Sequence, residues 1–392
     1  MSIITSLLDT DMYKISMQQI AWEYFPNATC TYEFKCRNSK DLTPYIDEIN
    51  LEIDKFTELT FKPGELGYLG SLSFIDPKFI NFLRKFKLNR KNIKVSTENK
   101  QLTIKIKGKW VDTILFEVPV LAIVNEIYFK HNSKLSEAKM VGKNRLNNKM
   151  FGKEESKFPL TDFGTRRRFS RHWHEQVIKE LIDNKDLPNN RVNFVGTSNV
   201  YLAKKYQLNP VGTMAHEFLQ AAQVLGPSLE DTQKFALTMW LKKYGKDLGI
   251  ALTDIFGIDV FLKDFDFTLA HLYSGVRHDS GDPFEFANKM VAYYKSLGID
   301  PKTKRLVFSD GLDFDKAAKL NETFKDQIKV SFGIGTNLTN DCGYEPLQIV
   351  IKMVTCNNQP TIKLSDSAGK IMCNDLRYIK KVRKMINNKL RN

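Results

Sequence analysis

The segment Arg277–Pro283 (RHDSGDP) is the densest in chemically active side chains. Asp279 and Asp282 flank Ser280-Gly281, and paired carboxylates of this kind can hold ribose hydroxyls or Mg²⁺. Ser309-Asp310-Gly311 repeats the same vocabulary further along. In Phe332–Thr336 (FGIGT), Gly333 and Gly335 offer backbone N–H groups that a phosphate can approach closely. Lys363–Lys370 (KLSDSAGK) sets two ammonium groups around Ser365, Ser367 and Gly369, which suits a di- or triphosphate but lacks P-loop spacing. Phe158–Arg171 (FPLTDFGTRRRFSR) collects Arg166, Arg167, Arg168 and Arg171 after a short apolar run. Asp162 and Thr165 are placed to cap the helix that follows, so a solvated helix start and an anion site fit equally well. Gly212–Gln220 (GTMAHEFLQ) puts His216 beside Glu217, and a lone histidine is more often structural than catalytic. His172, His174 and Glu175 form H-x-H-E, but residues two apart on a helix face different ways, which argues against a metal there.

These groups need elements to aim them. Five apolar runs between Asn193 and Thr336 end abruptly in Ser, Thr or Asp. They are Asn193–Asn199, Gly249–Asp254, the stretch closing in Arg277–Pro283, Lys304–Asp313 and Ile328–Thr336. Buried strands that turn polar at their C-terminal ends predict a parallel α/β barrel whose strand ends converge on one mouth. Upstream, Asp9–Phe25 reads as an amphipathic helix with N-cap oxygens from Asp9, Thr10 and Asp11, ended by Pro26-Asn27. Ala28–Arg37 alternates like a strand, and Ile93–Ile106 like a hairpin turning near Glu98-Asn99-Lys100. Phe79–Phe86, Val118–His131 and Leu135–Phe151 read as helical. After the barrel come strand-like runs at Leu347–Cys356 and Thr361–Leu364 and a basic helix, Asp375–Lys389. The predicted organisation is an N-terminal α+β domain (1–125), a central α/β barrel (126–340), and a C-terminal segment (341–392) packing back on the first domain.

Composition bounds the partners. The chain has 392 residues, 42% of them hydrophobic, and a formal net charge of +14. Much of that charge lies between Arg84 and Lys109, where Lys alternates with Leu and Ile as on a strand with one wet face. No aromatic-interleaved RNA-binding signature accompanies it, so a solvated basic face that attracts anionic substrates is favoured over nucleic acid. The five cysteines are odd in number and none are spaced C-x-x-C, which points to reduced thiols in a cytoplasmic protein. The N-terminus carries Asp9 and Asp11 and no basic region, unlike a signal peptide. Thr113–Phe129 is broken by Glu117, Pro119, Asn125 and Glu126, so no membrane span is expected.

In order along the chain, LLDTDMYK, EFKCR, DFGTRRRFS, FVGTSN, GTMAHE, ALTD, RHDSGDP, FSDGLD, FGIGT and KLSDSAGK closely resemble the nicotinate phosphoribosyltransferases, type II phosphoribosyltransferases of NAD salvage. The resemblance runs from Leu7 to Lys370. It implies an irregular (β/α) barrel of the type II kind with an N-terminal α+β domain. It implies that nicotinate and phosphoribosyl pyrophosphate give nicotinate mononucleotide and pyrophosphate, with ATP hydrolysis coupled and Mg²⁺ as cofactor. It further implies that His216 takes a phosphoryl group from ATP. Asp279 and Asp254 would bind ribose hydroxyls or the metal shell. Phe163 and Tyr13 would stack on the two faces of the pyridine, with Arg166 beside it and Arg277 near its carboxylate. Asp310, Gly333, Gly335 and Thr336 would receive phosphate, and Arg37, Lys363 and Lys370 the pyrophosphate. Ser198 stands where the nicotinamide-using relatives have Asp, and as a donor it favours the acid. The competing readings are a nicotinamide or quinolinate phosphoribosyltransferase and, from another class, a basic RNA-binding protein. A monomer and a homodimer both fit.

Overall fold

A computed structural model describes residues 2–151, 157–364, 372–373 and 375–391. Its strands are β1 (Thr29–Cys36), β2 (Ile93–Glu98), β3 (Gln101–Lys109), β4 (Phe158–Asp162), β5 (Val192–Thr197), β6 (Asn209–Pro210), β7 (Ile250–Leu252), β8 (Gly275–His278), β9 (Arg305–Phe308), β10 (Lys329–Ile334), β11 (Ile349–Cys356) and β12 (Gln359–Pro360). They form two sheets among the described residues. One is antiparallel, in the order β12-β11-β1-β3-β2, and the other is parallel, in the order β6-β5-β4-β10-β9-β8-β7. Helices follow most of the parallel strands, as βα repetition requires. The sheet curls into a half-barrel. Its two edge strands do not pair, but Thr213, just past β6, reaches Leu248 O and Ile250 O with its hydroxyl at 2.9 Å each and so spans the gap to β7.

The five polar-ended apolar runs are β5, β7, β8, β9 and β10. β4 and the two-residue β6 complete the sheet, with β4 at its centre between β5 and β10. The basic hairpin turns through Asn99 and Lys100, at φ 50° and 58°. Two successive left-handed residues make the tight turn whose twist matches the flanking strands. On β3, Leu102, Ile104 and Ile106 are buried while Lys105 and Lys107 are exposed, so the alternation is that of one wet face. The strand expected at Thr361–Leu364 is instead the short β12 just before it, and Leu364 N bonds Ile255 O of the barrel. β11 pairs with β1 from Cys36↔Ile349 to Cys30↔Cys356, while the helix Leu376–Arg391 lies on the barrel helix Ile258–Asp264, with Lys389 Nζ 2.5 Å from Asp264.

The N-terminal helix departs from expectation. It spans Met12–Tyr24, and Asp11 at its N-cap makes no side-chain cap bond. It is not amphipathic either. Lys14, Ser16, Gln18 and Gln19 are as buried as Met12, Ile15, Met17 and Ile20, because protein surrounds the helix on all sides. Buried polar groups must find partners. Gln18 therefore donates to Val111 O and Gln19 to Phe74 O. Asp9 takes both arms of the Arg168 guanidinium at 2.6 and 2.8 Å and a bond from Asn199 Nδ2. Backbone bonds Met12 N to Ser198 O and Val200 N to Thr10 O fasten the segment along the C-terminal end of β5.

Asp9 and Arg168 are both nearly inaccessible. Removing one partner of such a pair strands a charge and typically costs about 3–5 kcal/mol. R168M should lower the urea midpoint by that order with an unchanged denaturant slope, and D9N/R168M, which removes both charges, should recover part of the loss. A single variant within about 0.5 kcal/mol of the parent would show that the pair does not hold the segment in place.

Candidate active site

The C-terminal ends of the parallel strands and the inner face of the antiparallel sheet enclose one cavity of about 820 Å³. Tyr13, Arg37, Phe163, Arg166, Ser198, His216, Arg277, Asp279, Asp310, Gly333, Gly335, Thr336 and Lys363 all line it. Segments more than 300 residues apart in sequence thus meet in one space, and a single chain supplies both Tyr13 and Arg37. Lys370 lies outside the described residues.

One end of the cavity is built around Phe163. The chain leaves β4 at Asp162, whose carboxylate is fully buried and holds the turn three ways. It accepts from Gly164 N at 2.8 Å, from Thr197 Oγ1 at 2.6 Å and pairs with His174 Nε2 at 2.7 Å. The H-x-H-E histidine is therefore a buried partner of Asp162, and the cap of the next helix comes from Ser170, not from Asp162 or Thr165. Gly333 must be glycine because Phe163 lies on it: an added Cβ would fall 2.2 Å from the ring. Arg277 faces the same space with its Nε buried and, among the described residues, without a hydrogen-bond partner. The Ser198 hydroxyl donates to Asp11 Oδ1 at 2.8 Å, so its proton is already committed to a buried carboxylate. Burial raises the Asp11 pKa above its ordinary value against the pull of Arg166.

His216 opens the helix His216–Leu225 and is 18% exposed. Its Nε2 lies 2.7 Å from Asp254 Oδ1 and its Nδ1 3.5 Å from Asp279 Oδ2. Asp254 is further bound by Lys363 Nζ at 2.5 Å and Ser280 Oγ at 2.7 Å. Although burial favours the neutral acid, His216 and Lys363 hold the Asp254 pKa well below the usual range, so it is ionised and accepts the imidazole proton. Burial, with Lys363, pushes the His216 pKa below 6.5 in spite of both carboxylates. At neutral pH the ring is therefore uncharged, protonated on Nε2, with the Nδ1 lone pair free. Asp279 accepts from Ser309 Oγ at 2.9 Å, and Arg277 and Lys363 keep its pKa low against burial.

Between these two groups the cations crowd. Burial and the neighbouring Arg166 and Arg37 push the Arg167 pKa down to about 10. Burial and Arg166 depress Arg37 as well, partly offset by Asp310. Guanidinium groups that destabilise one another are relieved by a polyanion.

His216, Asp254 and Asp279 bring ligand atoms within 4.8 Å of one another. The donor set does not suit an all-protein Mg²⁺ site. One donor is imidazole, and the Lys363 ammonium already lies 2.5 Å from Asp254 and 3.9 Å from Asp279. Mg²⁺ prefers six oxygens and keeps waters or phosphates among them. Asp279, 27% exposed, fits as one carboxylate beside a cation carried in on a diphosphate.

Sequence reasoning saw Asp11 only as a cap, Glu117 only as a break in an apolar run and Glu217 only as the neighbour of His216, and it passed over Lys14. No signal in the sequence marks Lys14, since Lys, Ser and Gln on a helix read as its solvent face.

A sequence model of the nicotinate phosphoribosyltransferase family matches residues 158–390, and one of that family's N-terminal domain matches residues 8–125. Nicotinate phosphoribosyltransferases of Burkholderia mallei and Acidovorax sp. are 50% and 48% identical over 98% of this chain, covering 96% and 98% of their own lengths. Crystal structures of nicotinate phosphoribosyltransferases from Vibrio cholerae and Porphyromonas gingivalis superpose with TM-scores of 0.91 and 0.88 at 39% and 31% identity. They cover 98% and 99% of this chain and 94% and 100% of theirs.

The electrostatics of His216 can be read without substrate. Its NMR titration midpoint should lie below 6.5. K363M removes a repelling charge and frees Asp254 to pair more strongly with imidazolium, so the midpoint should rise. An unchanged or lower midpoint would contradict the assigned pairing.

Proposed function

The chain belongs to the nicotinate phosphoribosyltransferase family, and from that premise we propose how this cavity carries out the family's reaction. The enzyme joins nicotinate to phosphoribosyl pyrophosphate, forming nicotinate mononucleotide and pyrophosphate in NAD salvage. Phe163 and Tyr13 take the two faces of the pyridine ring, and Arg277 faces its carboxylate. Stacking of this kind is worth about 1 kcal/mol beyond burial. The ring nitrogen attacks ribose C1 with its own lone pair as the C1–oxygen bond to pyrophosphate breaks. No base is needed, so catalysis rests on alignment and on stabilising charge. Asp279 holds the ribose hydroxyls and offsets positive charge at C1. Gly333, Gly335, Thr336 and Asp310 surround the 5′-phosphate and its counter-charges, and Arg37, Arg166 and Arg167 take the pyrophosphate. Asp279 would be the carboxylate that helps hold Mg²⁺ arriving with the diphosphate, and the ion would supply neutralising charge there. The crowded arginines are the observation that carries this assignment, because a bound polyanion would relieve the repulsion that, after burial, lowers the pKa values of Arg167 and Arg37. Lys363 serves the His216 pair more directly than the pyrophosphate, since its ammonium is engaged with Asp254.

We assign the coupled ATP reaction to His216. The free Nδ1 attacks the γ-phosphorus, ADP leaves, and water later returns the phosphoryl group as phosphate. The paired, uncharged imidazole supports this role, because only a neutral ring has a lone pair to give. Ser198 acts through Asp11: its hydroxyl holds that carboxylate, so less negative charge faces nicotinate. An Asp at 198 would set a second carboxylate against Asp11, and one of the two would have to take a proton. Quinolinate, with a second carboxylate, would call for a cation beside Arg277. We place the reaction in the cytoplasm, as the free cysteines support, and regard the site as complete in one chain, whether monomer or homodimer.

Product formation from nicotinate and nicotinamide, each with and without ATP, tests the reading. Nicotinate should be strongly preferred and ATP should stimulate, while H216N should lose ATP hydrolysis yet keep slow ATP-independent transfer. Full ATP stimulation in H216N, or equal use of nicotinamide, would overturn it.

A further inference from the structure

In the wall of the cavity, Glu117 and Glu217 meet a buried lysine, Lys14, that the reaction as described does not use. Lys14 is 0% exposed. Its ammonium is 2.5 Å from Glu117 Oε2 and also bonds Glu217 Oε2. Burial disfavours the charged ammonium, but the two carboxylates outweigh it and hold the Lys14 pKa above its ordinary value. Each carboxylate then reaches a different part of the site. Glu117, 12% exposed and the first residue of the helix Glu117–Asn132, turns its other oxygen to Arg166 Nη1 at 3.6 Å. Glu217 directly follows His216 in the first turn of its helix. Its Oε1 accepts from Tyr32 Oη and Trp110 Nε1, both at 2.7 Å. Tyr13, which lines the cavity, is the neighbour of Lys14 on the N-terminal helix.

One ammonium thus joins the N-terminal helix, the helix that braces Arg166 and the helix that begins at His216. The charges balance, with Lys14 and Arg166 against Glu117 and Glu217. Burying Lys14 with two carboxylates is not an economical route to stability, since apolar residues of similar size usually do as well or better. Such a cluster does fix register, because each charge is strongly penalised if its partner moves.

We propose that Lys14 is a positioning residue that sets Arg166, through Glu117, and His216, through Glu217, in a common register, so that the base and pyrophosphate end and the phosphoryl-accepting end of the cavity are aligned by one buried cation. The His216 arm rests on the reading of His216 given above, and the Arg166 arm does not.

The two arms are separable by kinetics. K14M should raise KM for nicotinate and for phosphoribosyl pyrophosphate, measured without ATP, by about tenfold, and lower the turnover of ATP hydrolysis by about tenfold. K14R should restore both to within about threefold. E117Q keeps the Lys14–Glu217 pair, on the His216 side, and weakens the two ion pairs of Glu117, to Lys14 and to Arg166. It should raise both KM values by about tenfold while ATP hydrolysis stays within about twofold, and it carries the test if K14M does not fold. A merely structural lysine would lower the active fraction, and so kcat, with KM unchanged; that result in K14M, or unchanged KM in E117Q, overturns the proposal. If the parent enzyme hydrolyses no ATP, the phosphohistidine reading fails, whereas the KM shifts still decide whether Lys14 positions Arg166.

Discussion

An ionisable side chain buried in a protein needs a partner, and the N-terminal segment carries three of them within six residues. Asp9, Asp11 and Lys14 are all almost wholly inaccessible. Their partners lie on β5, on the arginine-rich turn after β4 and on the helices that begin at Glu117 and His216. Most of the remaining architecture follows from satisfying them. Asp9 and Lys14 find ionic partners, and Asp11 a hydroxyl donor, at one place, the seam between the antiparallel sheet and the half-barrel. Tyr13 is thereby delivered to the cavity, the Ser198 hydroxyl is engaged, and Arg168 is withdrawn from a row of arginines whose neighbours face the substrate space.

The barrel itself was legible because parallel strands buried on both faces leave an apolar run, and their working ends leave an abrupt polar stop. β5, β7, β8, β9 and β10 announce themselves in this way. β4 is a strand of five residues enclosing a proline, and its neighbours on either side supply what its own pattern does not. β6 has two residues and no pattern to read. The N-terminal helix misled for a physical reason. Ser, Lys and Gln on a helix normally mark a solvent face, but here each finds a buried partner on a distant segment. The spacing of residues along one helix carries no trace of that.

Site residues were legible where the strand ends put them, and less so where their neighbours change their meaning. Gly333 reads as room for a phosphate, and the Phe163 ring packed on it is a second demand for glycine there. Lys363 reads as a pyrophosphate ligand but pairs with Asp254, and after burial it is the main group that lowers the His216 pKa. Arg166 and Arg167 follow one another and belong to the same cationic end, while Arg168 belongs to the core. Each of these assignments depends on a contact between segments far apart in the chain, which composition and periodicity do not encode.

The central claim is that one cavity holds a neutral, nucleophilic His216 at one end and a pyridine and pyrophosphate site at the other. The most direct measurement is incubation with ATP labelled in the γ-phosphate, followed by peptide mapping. The label should be acid-labile and base-stable, sit on the peptide containing His216, and be discharged when nicotinate and phosphoribosyl pyrophosphate are added. Absence of label from His216 while ATP is being consumed would contradict the claim.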